Sequence, residues 1–136
     1  MKILPVPSEK YFSKGYADFQ DGNYKKAIEH FEKALKLNPK NELVSFFLGI
    51  SKMETGELYE SKTYLEKSTK IAPDFYASYV ALGLVYAEKW AESLDKGETD
   101  THALEKAIMS YENACDLRKD DKEVSEFLNL LKNSRR

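Results

Sequence analysis

Little in this sequence points to chemistry. Its 136 residues hold one cysteine, two histidines, one tryptophan and four prolines. A lone Cys115 excludes an intrachain disulfide framework and makes a reducing compartment the default. A zinc site needs about four converging ligands, which Cys115 and the scattered His30 and His102 do not supply. Each histidine reads as a surface residue and Cys115 as a small core thiol. No glycine-rich phosphate loop follows a strand, because no strand is predicted. Glu29–Lys33 and Glu32–Lys36 stand four apart, the spacing of ordinary helix-surface pairs. No catalytic residue, metal ligand or cofactor is assigned, and the chain is expected not to be an enzyme.

An excess of one charge is also missing. Twenty-one basic residues face twenty-three acidic ones, a formal charge of −2. A nucleic-acid binder concentrates basic residues on one face, and no such stripe runs through the chain. No segment approaches the roughly 20 apolar residues of a membrane span. The opening "MKILPVPS" is too short for a secretory signal and is broken by Pro5 and Pro7. The expectation is a soluble, cytoplasmic protein whose partners are neither nucleic acid nor membrane.

What the sequence does have is a period. Gly15, Gly49 and Gly83 are spaced by 34 residues, and so are Pro39 and Pro73, and Gly22 and Gly56. "AIEHFEKALKLNP" (27–39) aligns with "SKTYLEKSTKIAP" (61–73) and with "AIMSYENACDLRK" (107–119). The small positions are Ala27, Ser61 and Ala107, then Ala34, Ser68 and Ala114; the large ones are Phe31, Leu65 and Tyr111. Small residues let two helices approach closely, and one large residue per unit fills the space between them. Gly22 and Gly56 stand where a helix must stop, a position that favours left-handed backbone.

This 34-residue pattern resembles the tetratricopeptide repeat family. The resemblance implies an all-α, right-handed superhelical solenoid of three antiparallel helix hairpins with a C-terminal capping helix. The units are 8–41, 42–75 and 76–119, preceded by an extended segment over 1–7 and followed by a capping helix and tail over 120–136. The cap carries Val124, Phe127, Leu128 and Leu131 on one stripe, with Asp120 or Asp121 as N-cap. The third unit is longer, because Ser61 to Ala107 spans 46 residues instead of 34. The twelve extra residues lie within 87–106 and are expected to lengthen both helices, with "DKGETD" as the turn and Thr101 as the next cap. Trp90 there packs within the hairpin or anchors a partner.

One segment raises the functional question. In "NELVSFFLGISKM" (41–53), Leu48 and Gly49 face a neighbouring helix, while Leu43, Phe46, Phe47 and Ile50 cluster on another face. In the family the first helix of each hairpin lines a concave groove. The resemblance therefore aims Phe12, Tyr16 and Phe19 into the groove, then Leu43, Phe46, Phe47 and Ile50, then Ala77, Val80, Ala81 and Leu84. "KGYADFQDGNY" (14–24) also resembles the opening of chaperone-binding members, which clamp a C-terminal carboxylate with lysine, asparagine and arginine. The matching positions here hold Phe12, Tyr16, Phe47, Ala77 and Ala81, none of them a cation, so the clamp is read as absent.

The expected function is non-catalytic binding of a peptide or helix of another protein in an apolar, aromatic groove. A self-associating assembly module, using the same face or the Trp90 hairpin, is the alternative. The chain's own "MKILPVP" could also fold back as a plug. Replacing Phe31 with alanine should open a core cavity, whereas Phe47→Ser should leave folding nearly intact.

Overall fold

Asparagine, aspartate and glycine punctuate the chain, and the helices fall between them. The computed structural model describes residues 7–135. It places α1 at Pro7–Gln20, α2 at Tyr24–Leu37, α3 at Glu42–Glu54, α4 at Leu58–Ile71, α5 at Tyr76–Asp95, α6 at Thr101–Leu117 and α7 at Lys122–Asn133. The side chains of Asn23, Asn41, Asp100 and Asp121 accept backbone N–H groups at the starts of α2, α3, α6 and α7, satisfying donors that a helix leaves open. The cap of α6 is Asp100 rather than Thr101, because its carboxylate reaches Ala103 N at 2.9 Å. Gly22 and Gly56 turn the chain with φ of 76° and 82°, as their positions required. Residues 1–6 lie outside the description, and so does the expected plug.

Two compact units divide the chain, Met1–Pro73 and Asp74–Arg136. In the first, α1 pairs with α2, α3 with α4, and α2 packs on α3. Its core comprises Ala27, Ile28, Phe31, Ala34, Val44 and Leu48. Phe31 and Leu65 are fully enclosed, and each fills the gap left by a glycine. A Cβ built on Gly15 would meet the Phe31 ring at 2.7 Å, and one on Gly49 would meet Leu65 Cγ at 2.7 Å. Ser61 and Ser68 take the small positions that alanine holds elsewhere and are wholly buried. The Ser61 hydroxyl donates to Gly49 O at 2.7 Å, and the Ser68 hydroxyl donates to Glu42 O at 3.1 Å, so these polar groups keep their partners. Ser45 differs: its buried Oγ has no hydrogen-bond partner among the described residues.

Lys52 also lies inward on α3, with Nζ 2.6 Å from Glu60 and 3.4 Å from Glu57. Burial alone would lower its pKa, but the two carboxylates outweigh that and hold it above the ordinary lysine value. His30 is not a free surface residue. It is half-buried, with Nδ1 2.7 Å from Asp18, tying α2 to α1.

The second unit repeats the hairpin with longer helices, 20 residues in α5 and 17 in α6 against 14 and 14 in α1 and α2. Tyr111 plays the part of Phe31, and a Cβ on Gly83 would meet its ring at 2.7 Å. Val124, Leu128 and Leu131 seal α7 onto α6. At the start of α7, Asp121 accepts from Val124 N and from the Tyr76 hydroxyl. The tyrosine hydroxyl foremost, then the backbone, holds the Asp121 pKa below the usual carboxylate range. Burial, then that same hydrogen bond, pushes Tyr76 up to about 12. Cys115 is a free, half-buried thiol with Sγ 3.8 Å from Ser125 Oγ, so it sits at the α6–α7 seam rather than sealed in the core.

Candidate functional site

In the first unit, α1 and α3 touch, and both lie against α2. Their aromatic side chains meet around one residue. The Phe47 ring lies 6.0 Å from Phe12, 5.3 Å from Tyr16, 5.2 Å from Phe19, 6.1 Å from Phe31 and 5.1 Å from Phe46, centroid to centroid. These separations are those at which aromatic pairs attract. The cluster is layered by depth. Phe31 is sealed at the bottom; Phe12, Phe19, Phe46, Phe47 and Ile50 are half-buried; Tyr16 and Leu43 are exposed by 38% and 40% at the top.

This depth order corrects the expectation for Phe47. Its ring rests on Phe31 and on the first unit's core, so it supports the fold as well as forming part of the face. A helical wheel gives the direction of a side chain but not what lies under it, and here Phe31 lies under it.

In the second unit, α5 presents Ala77 and Val80 half-buried and Leu84 exposed by 37%. Ala81 departs from the expectation. It is buried in the core at 6% exposure, leaving α5 a smaller apolar strip than the spacing implied. Trp90 is half-buried, and its indole nitrogen is enclosed without a hydrogen-bond partner among the described residues.

Sequence reasoning missed two residues on α7. Phe127 was expected in the capping stripe, yet it is 37% exposed, and Leu130 is 64% exposed. Phe127 stands 5.3 Å from Tyr111 in an edge-on contact. It follows Tyr111 by sixteen residues, just as Phe47 follows Phe31. That repeated spacing was the available signal: α7 occupies the register of a first helix, and Phe127 and Leu130 stand where Phe47 and Ile50 stand.

Among the described residues, no three side chains of the His, Cys, Asp or Glu type gather to hold a metal ion. No helix among them is long and apolar enough to cross a membrane. The faces offer apolar and aromatic contact, which is what an interaction surface uses.

Comparison with known proteins agrees with this architecture. Two family models of the tetratricopeptide repeat match, one over residues 8–41 and one over residues 44–75. Among solved structures, the first such domain of Spaghetti (RPAP3), bound to an HSP90 peptide, superposes with a TM-score of 0.80 at 17% identity, covering 96% of this chain and 95% of that one. The second domain of human RPAP3, in complex with an HSP70 peptide, gives 0.77 at 16% identity, covering 93% and 95%. MamA gives 0.80 at 21% identity over 96% of this chain and 70% of its own. Likeness at these identities is likeness of fold. No curated protein sequence matches the chain.

Proposed function

For a chain that belongs to the tetratricopeptide repeat family, we propose a non-catalytic interaction module that holds an apolar segment of a partner protein on its first-helix faces. The contact surface in the first unit is Phe12, Tyr16 and Phe19 of α1 with Leu43, Phe46, Phe47 and Ile50 of α3. Ala77, Val80 and Leu84 of α5 form the corresponding surface of the second unit.

The observation that carries this reading is the layered aromatic cluster. Tyr16 is exposed, yet its ring stands against half-buried Phe12 and Phe47, both fixed against Phe31, and Leu43 is exposed four residues before Phe47 on the same helix. Side chains ordered before binding lose little freedom on binding, so their contact area converts efficiently to affinity. An apolar face of this kind on a soluble chain marks an interaction site more often than an accident of composition.

The two RPAP3 domains were solved with chaperone peptides, which supports peptide recognition in general. The identity of the segment differs in this reading. Phe12, Tyr16, Phe47, Ala77 and Ala81 occupy the clamp positions the resemblance assigns, and none of them compensates a desolvated carboxylate.

The test is an isotope-labelled chain titrated with synthetic amphipathic peptides carrying leucine and phenylalanine at helical spacing. Amide shifts should concentrate in α1 and α3, and Tyr16→Ser with Leu43→Ser should weaken binding while leaving the melting curve in place. Shifts confined to α2 and α4 would reject the face. Concentration-dependent dimers abolished by Tyr16→Ser would make a second copy the occupant.

A further inference from the structure

Resting on the reading just given, we infer that the segment held on the first unit's face, or on the matching Phe127 and Leu130 face of α7, is cationic as well as apolar. The ground is how charge is distributed around the rings. Net charge is only −2, so any strong local sign reflects placement rather than composition.

On α1, Glu9 is exposed and lies three and seven residues before Phe12 and Tyr16, on their side of the helix. Lys10 and Lys14 fall on the opposite shoulder, where Lys14 and Lys33 of α2 approach the Tyr11 ring at 5.8 Å and 5.6 Å. On α3, Glu54 is exposed four residues after Ile50. The sole basic residue of that helix, Lys52, is turned inward and held by Glu57 and Glu60.

The second unit repeats the arrangement. On α7, Glu123 and Glu126 are exposed, each four residues before Phe127 and Leu130 respectively, and neither has an ion pair among the described residues. The basic groups at the other end turn to α6: Lys132 Nζ lies 3.8 Å from Glu112, and Arg135 Nε lies 3.1 Å from Glu105.

Three helices from two units thus separate their charges in one sense. Exposed acids border the rings, while Lys14, Lys52, Lys132 and Arg135 are engaged elsewhere; Lys122, exposed four residues before Glu126, is the base that stands beside this border on α7. A ligand covering the rings removes water from this border and strengthens whatever charge interaction is present. Such a border repels carboxylates. It suits lysine and arginine, whose aliphatic stems can lie along the rings while their heads reach the glutamates. The partner segment is accordingly an amphipathic helix or strand with lysine or arginine flanking its apolar stripe.

Fluorescence anisotropy on the full chain tests this with three synthetic amphipathic helices of identical leucine and phenylalanine stripe, flanked by lysine, glutamine or glutamate. A fourth peptide keeps the lysines and scrambles the stripe. The lysine-flanked probe should bind tightest and weaken as salt is raised. Glu9→Lys with Glu54→Lys, or Glu123→Lys with Glu126→Lys, should erase its advantage at up to roughly fivefold per pair lost, without shifting the melting curve. Equal binding of the glutamine or glutamate probe would overturn the charge inference and leave the apolar face standing. Equal binding of the scrambled peptide would overturn it too, because charge alone would then suffice. Failure of all three amphipathic probes would reject the face itself.

Discussion

The two units use one packing device for different ends. Each sets a large side chain of the second helix against a glycine of the first, Phe31 on Gly15, Leu65 on Gly49 and Tyr111 on Gly83. Above that common base they diverge. The first unit raises a tier of rings from Phe31 to its surface, on helices of 13 and 14 residues. The second has alanine, valine and leucine on the corresponding face of α5 and puts its extra residues into helix length. The difference teaches that the close helix contact belongs to the repeat, whereas the face above it varies from unit to unit.

The largest effects should come from the shared base. Phe31→Ala and Tyr111→Ala should each cost about 3–5 kcal/mol in urea denaturation, since each removes a ring with almost no exposed surface. Trp90 is the chain's single tryptophan and lies on α5, so its fluorescence reports on the second unit while circular dichroism reports on both. Phe31→Ala should shift the dichroism transition; an equal shift of the Trp90 transition would show that the units unfold together.

Next comes the tier between base and surface. Phe47→Ala should cost about 2 kcal/mol, less than a sealed ring because Phe47 is only half-buried. A loss under about 0.5 kcal/mol would return Phe47 to the face alone.

Acid should loosen both units gently, because Glu57 of the first, held low foremost by the Thr55 hydroxyl, titrates below its ordinary value as Asp121 of the second does. Asp121 has a depressed pKa in the fold, so its contribution is present above the ordinary value of 3.8 and disappears as pH falls through the folded value. Hydrogen-exchange protection of the α7 amides should therefore fall in acid, and Asp121→Asn should blunt that response. Alkali should not discriminate between the units either. Lys52 has a raised pKa, so its contribution is complete below 10.5 and is lost as pH rises through the folded value, in the range where Tyr76 of the second unit also titrates toward about 12.

The smallest stability effects belong to the exposed tier. Tyr16→Ser and Leu130→Ser should change unfolding by no more than about 0.5 kcal/mol while lowering the affinity of an amphipathic probe.

Much of this fold was legible in the sequence because its determinants are local or periodic. The 34-residue recurrence of Gly15, Gly49 and Gly83 exposed the hairpins, and Gly22 and Gly56 marked their turns. Depth was not legible. Helical spacing aimed Phe47 and Ala81 at the face, yet the ring beneath one and the core around the other decide how much each exposes. Phe127 joined Val124, Leu128 and Leu131 on one wheel, but α7 buries only the latter three against α6. The sites of Cys115 and His30 were misread for a similar reason: their surroundings, Ser125 and Asp18, come from other helices.

One oxygen atom inside α3 has a practical consequence. Ser45 Oγ is buried with no hydrogen-bond partner among the described residues, an arrangement that carries a desolvation penalty with no hydrogen bond in return. Exchanging that serine for alanine offers a route to a hardier variant, one whose heat resistance improves while every ring and glutamate of the recognition surface stays as it was.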